Sequence, residues 1–325
     1  MNRRQRILYA VLQSLLLIAA STIVRAQAYP NRPIRVIVPF APGGATDAVM
    51  RMLAPRLAEN LGQQVVVDNR PGGASTIGMD MVAKSAPDGH VLGVANLSFA
   101  VNPVLLSKIP YDTNRDFSLV SLVTIVPFVL TIHPSVPVQS VAELVALAKS
   151  RPGSLNYSSS GNASATQMAT ELFRYQSGID IVHVPYTGGG PALIALLSGQ
   201  VSIYFSSVPA ALPHYRSGKL KALGVTSSRR DPTLPGIPTV AESGLPGYEA
   251  FEWQGIVVPA GTPAAVVTRL HQETVKSLSA PDLREKFNSV GAYAVGSTPE
   301  EFGLHVRKEV ATWSKVIKAA GIRIE

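Results

Sequence analysis

The tetrapeptide Pro-Gly-Gly-Ala occurs at Pro42-Gly43-Gly44-Ala45 and again at Pro71-Gly72-Gly73-Ala74, each time ending a short apolar run and preceding a stretch of helical period. This pattern constrains the fold most, because strands broken in this way and followed by helices pack side by side as a parallel sheet. Ile34 to Phe40 reads as a buried strand, and Asp47 to Leu61 reads as a helix with Val49, Leu53, Leu57 and Leu61 four apart on one face. Gln63 to Asn69 is the next strand, Ile77 to Ser85 the next helix and His90 to Asn96 a third strand.

The rhythm restarts downstream. Ser140-Val141-Ala142-Glu143 reads as a capping box opening a helix to Lys149. Leu155 to Ser158 is a strand, Ser159 to Ser164 a polar turn and Gln167 to Tyr175 a helix. The strand Ile179 to Pro185 leads into Thr187-Gly188-Gly189-Gly190 and a helix from Pro191 to Leu197, and strands follow at Val201 to Phe205 and Leu220 to Thr226. After one more strand, Gly255 to Val258, the chain turns helical. Thr298-Pro299-Glu300-Glu301 starts the last helix, whose Phe302, Val306, Val310, Trp313 and Ile317 form one apolar stripe ended by Gly321. The expected architecture is α/β with two lobes, each a mainly parallel sheet flanked by helices. Lobe 1 takes residues 27–128 and 252–325, lobe 2 takes 129–251, and the crossings fall near 126–132 and 249–254.

The N-terminus reads as a secretory leader. Met1-Asn2-Arg3-Arg4-Gln5-Arg6 is basic, Ile7 to Val24 is mostly apolar, and Val24-Arg25-Ala26 offers a cleavage site, with Ala28 as the alternative. A retained membrane anchor is the competing reading. No cysteine is present, so no lipid anchor forms at a lipobox and no disulfide forms. The formal net charge of +8 falls to +4 without Arg3, Arg4, Arg6 and Arg25 of the leader, and no basic block is interleaved with aromatics, so no nucleic-acid partner is expected.

Catalytic signatures are missing. His90, His133, His183, His214, His271 and His305 are scattered without metal-ligand spacing, and neither Gly-x-Ser-x-Gly nor a Walker lysine occurs. The expectation is no enzyme, no metal and no cofactor. Two matching turns stand out instead: Pro39 to Asp47 after the first strand of one unit, and Tyr157 to Ser164 after the first strand of the other. Small polar turns that open helices present backbone N–H groups at the positive end of a helix dipole, which suits a carboxylate. Ordinary turn and capping chemistry is the alternative, and Asp47 in particular reads either as a ligand contact or as a helix cap. Phe40 and Trp253 could wall a pocket or sit in the core.

Read in order, these stretches resemble the Bug (TctC-like) solute receptors of tripartite tricarboxylate transporters. The resemblance runs through Tyr29-Pro30-Asn31-Arg32-Pro33-Ile34, Val38-Pro39-Phe40-Ala41-Pro42-Gly43-Gly44, Val67-Asp68-Asn69-Arg70-Pro71-Gly72, Pro87-Asp88-Gly89, His183-Val184-Pro185-Tyr186, Pro259-Ala260-Gly261-Thr262-Pro263 and Ser297-Thr298-Pro299-Glu300-Glu301-Phe302. It implies a type II periplasmic binding protein fold, a Venus flytrap, in the periplasm of a Gram-negative bacterium. A small carboxylate would be its ligand, membrane permease subunits its partners, and a monomer its working state. The ligand contacts it implies are Phe40, Gly43, Gly44, Asp47 and Ser98 in one lobe and Ser159, Ser160, Gly161, Ser164, Gln167, Tyr186, Phe205 and Ser206 in the other. Many members carry Phe-Asp where this chain has Phe205-Ser206-Ser207, and many carry His where Gln167 stands. An acid at the first position would favour a ligand amine, so a di- or aromatic carboxylate without an amine is expected. A ligand-sensing subunit for a membrane histidine kinase is the alternative role, and a secreted hydrolase a more distant one.

Overall fold

The computed structural model describes residues 29–289 and 291–322, and the leader lies outside them. In the first lobe β1 (Ile34–Val38) lies between β2 (Val65–Asn69) and β3 (Val91–Ala95) and runs parallel to both. Four of the five β1 residues are buried, as a strand covered on both faces by helices requires. The crossovers are α1 (Ala45–Leu61) and α2 (Thr76–Ala83), and Gly62 stops α1 in a left-handed conformation with its N–H on Ala58 O. A third helix, α3 (Leu97–Leu105), follows β3; Asn96 caps it by accepting the Ser98 N–H at 3.0 Å.

The two lobes share one long strand. β4 (Phe117–Ile132) pairs antiparallel with β9 (Phe251–Pro259) as far as Pro127 opposite Phe251. From Phe128 onward it pairs with β7 (Ile203–Ser207), and on its other edge with β8 (Lys221–Val225). β5 (Asn156–Ser159) lies parallel between β6 (Val182–Pro185) and β7, and the short β10 (Tyr293–Ala294) adds to β4 in the first lobe. The order β2-β1-β3-β9-β4-β7-β5-β6 is thus continuous. The parallel pairings lie where the strand-helix alternation predicts them. β4 and β9 run antiparallel because one carries the chain into the second lobe and the other carries it back.

The second lobe is covered by α4 (Val141–Ser150), α5 (Ala165–Ser177), α6 (Gly189–Leu197) and α7 (Val208–Arg216). The predicted box at Ser140 forms by half: Ser140 Oγ accepts the Glu143 N–H, but the Glu143 carboxylate reaches the Gln139 N–H instead of that of Ser140. The chain then returns through α8 (Ala264–Ser279), α9 (Pro281–Ser289) and α10 (Pro299–Ala320), and α10 opens with a complete Thr298–Glu301 capping box. The stripe on α10 serves both lobes. Phe302 and Val306 join the core of Ile37, Phe99, Trp253 and Val257, whereas Trp313 and Ile317 join that of Phe128, Phe173, Phe205 and Tyr248.

Candidate ligand site between the lobes

The first turn of α1 is built by its own side chains. Gly43 takes a φ of +88°, which a side chain would resist, and turns the chain from β1 into the helix. Asp47 holds that turn: its carboxylate accepts the Gly43 N–H at 3.1 Å, Asn69 Nδ2 at 3.0 Å and Arg51 Nε at 2.9 and 3.0 Å. Burial pushes its pKa up, but these donors outweigh burial and leave it below the ordinary carboxylate value. With Asp47 engaged below the turn, no side chain caps the helix at Gly44, and its first-turn N–H groups stay available.

The second lobe differs from the sequence expectation in which helices point at the cleft. Ser164 caps α5 by accepting the Gln167 N–H, Gln167 Oε1 accepts the Ala163 N–H at 2.7 Å, and Ser160 N–H donates to Thr166 Oγ1 at 2.8 Å. That turn is therefore largely satisfied within itself. The uncapped helix starts are those of α6, at Gly188, and α7, at Ser207. Together with α1 they bring three N-termini without a side-chain cap to one pocket.

Lobe 1 lines this pocket with Phe40, Gly44, Ala45, Thr46 and Asp47, and lobe 2 with Ser160, Thr166, Gly189, Tyr204, Ser207 and Ala210. Glu252 enters from β9. The lobes are in contact around it. Ala41 N–H donates to Thr187 O at 3.1 Å, and a Cβ built on Gly189 would lie 3.1 Å from Gly44 Cα. The enclosed space admits little more than a water molecule, so the lobes have to part to admit a solute. Tyr204 is fully buried; burial first, and the Glu252 charge second, push its phenol well above the ordinary value, so it remains a hydroxyl donor. A wider groove adjoins, lined by Phe40, Gly72 to Ser75, Ser160 to Asn162, Tyr186 and Thr187.

Of the residues singled out from sequence, Phe40, Gly44, Asp47 and Ser160 line the enclosed pocket, and Gly161 and Tyr186 line the groove. Gly43 shapes the first turn. The others are held away from the cavity: Phe205 packs in the lobe 2 core, Ser98 Oγ donates to Ala163 O, and Ser159 Oγ meets His183 Nε2 at 2.6 Å. Ser164 and Gln167 cap and brace α5, and the Ser206 hydroxyl turns to its neighbour's carbonyl. Strand alternation explains β7, where Tyr204 faces the pocket and Phe205 faces the core. His183 stacks on Tyr157 at 4.8 Å, and burial pushes its pKa down to about 4, so it stays neutral. Trp253 is core and faces away from its neighbour Glu252. Thr46, Thr166, Gly189, Tyr204, Ser207 and Glu252 were not singled out from sequence. Ser207-Val208-Pro209 has the form of a helix start and was the one available signal for α7.

Residues 49–322 match the tripartite tricarboxylate transporter family receptor, TctC. The chain belongs to this family. Protein BugT of Bordetella pertussis is 38% identical over 304 residues, covering 93% of each chain. An R. palustris protein solved with adipate has 37% identity and a TM-score of 0.88, with 91% of this chain and 99% of that one covered. MatC of Rhodopseudomonas palustris, with bound malate, has 33% identity and a TM-score of 0.85, with 89% and 100% covered. This TctC receptor accordingly has the two-lobed periplasmic binding protein fold, and its family is one of solute receptors.

Proposed function

We propose that this TctC receptor works in the periplasm, captures a small carboxylate between its lobes and hands it to the membrane permease of a tripartite transporter. The ligand is a di- or aromatic carboxylate without an amine. The observation that carries this reading is the convergence of three uncapped helix N-termini, at Gly44, Gly188 and Ser207, on one pocket. Backbone N–H groups at such ends recognise an anion without a basic side chain. The adipate and malate held by related proteins support the same ligand class. Closure follows as a population shift, because ligand held by groups of both lobes favours the state in which they meet.

Calorimetric titration of the mature protein with adipate, malate and phthalate tests the reading, and at least one should bind. Gly44→Asp places a carboxylate beside the helix ends, with its Cβ 3.2 Å from the Gly189 nitrogen, and should abolish binding. Unchanged affinity in that variant would reject the site.

A further inference from the structure

The pocket is arranged for an anion yet contains a carboxylate of the protein itself. Glu252 stands on β9, one of the two strands that cross between the lobes, and is only 9% exposed. Thr46 Oγ1 donates to its Oε1 at 2.8 Å. An ionised carboxylate can accept about four hydrogen bonds; Thr46 and Gln254 are the side-chain donors beside this one, and the residue lines the cavity, where a ligand can reach it. Among the described residues, no Lys, Arg or His lines the pocket. The titratable groups that share it are Asp47, from α1, and Tyr204, from β7, and the half-exposed Arg51 is engaged by Asp47 and Asn69. What faces Glu252 from α5 and α7 is neutral: Thr166, Ser207 and Ala210.

We propose that Glu252 is a ligand-contacting residue that acts as a neutral acid, taking one proton from solvent as an amine-free carboxylate binds and donating it in a hydrogen bond to that carboxylate. This rests on the carboxylate reading above. Two carboxylates brought together in a dry pocket cannot both stay ionised, and the one already strained by burial takes the proton. Burial has pushed Glu252 up to about 6 before any ligand enters, with Thr46 and Gln254 partly offsetting it. A second negative charge raises it further. Near neutral pH the residue is therefore ionised in the empty receptor and neutral in the complex.

The test uses whichever of adipate, malate and phthalate binds most tightly. Titration at pH 7 in two buffers of different ionisation enthalpy should report uptake of close to one proton per ligand. The wild-type Kd should weaken by about tenfold per pH unit above about 6. Glu252→Gln, which is neutral throughout, should keep the low-pH affinity and lose this dependence. The ligand's own titration is common to both proteins and cancels in the comparison. A flat wild-type profile without proton exchange overturns the proposal. So does proton release, which would mean that a ligand cation meets an ionised Glu252. If the variant does not fold, the wild-type proton count decides alone. Failure of all three ligands to bind either protein at pH 5.5, where the side chain at position 252 is largely neutral in both, rejects the carboxylate reading and this inference with it.

Discussion

Thr46 donates its hydroxyl hydrogen to Glu252 at 2.8 Å, across 206 positions of sequence. The bond ties the first turn of α1, where the backbone is open to an anion, to the strand that joins the lobes. Both groups are buried, so the contact carries weight that an exposed one would not. It also couples three things that a receptor of this kind must coordinate: the helix end, the charge state of the pocket and the crossing between lobes.

Lobe contact should be sensitive to a single methyl group. A Cβ on Gly190 would lie 2.4 Å from Pro42 O, closer than any real contact of that kind. Gly190→Ala should hold the lobes apart, raise the radius of gyration measured by small-angle scattering and weaken ligand binding by about tenfold or more, a loss of about 1.4 kcal/mol. Gly236→Ala, where a Cβ meets nothing within 4 Å, is the control and should leave both unchanged.

Glu252 should cost stability above its titration. Its folded pKa of about 6 lies above the ordinary 4.5, so the folded state holds the proton more tightly than the unfolded chain. Stability therefore falls as pH rises from 4.5 to about 6 and stays lower beyond. Glu252→Gln should be more stable than wild type by about 2 kcal/mol at pH 7.5 and no more stable at pH 4. Urea unfolding at the two pH values measures this; equal differences at both would contradict it.

Asp47 has the opposite sign. Its pKa is lowered overall, so the stability it contributes is complete above the ordinary 3.8 and is lost as pH falls below it. Asp47→Ala leaves the Gly43 N–H and Asn69 Nδ2 without their acceptor and should cost about 1–3 kcal/mol at pH 7. Denaturation at pH 7 and pH 3 should show that gap narrowing in acid. Ligand affinity should fall as well, because the turn that presents the α1 N–H groups is no longer held.

Much of the architecture was legible from periodicity and punctuation. The Pro-Gly-Gly-Ala breaks, the four-residue stripe on α1 and the Thr298–Glu301 box all rest on local chemistry, and local chemistry can be read from neighbours in sequence. The helix α3 was less legible because Leu97 to Leu105 is apolar on several sides and contains Pro103. β4 was read only as a crossing, because its apolar run continues through two sheets without a polar face to mark its ends.

The site divides along the same line. Gly43, Gly44 and Asp47 were identifiable because the turn, the helix start and the residue holding them lie within a few positions of one another. In the second lobe, local reasoning chose the Ser159 to Ser164 turn, whose polar groups mostly satisfy each other. The helix ends that remain open, at Gly188 and Ser207, became part of the site only when the lobes met. Glu252 carries no local mark at all. The sequence by itself determined most of the alternation of strands and helices, the family and the turn that opens α1. The tertiary structure decided which helix ends stay uncapped and that a buried acid faces them, because both depend on groups that the chain brings together from far apart.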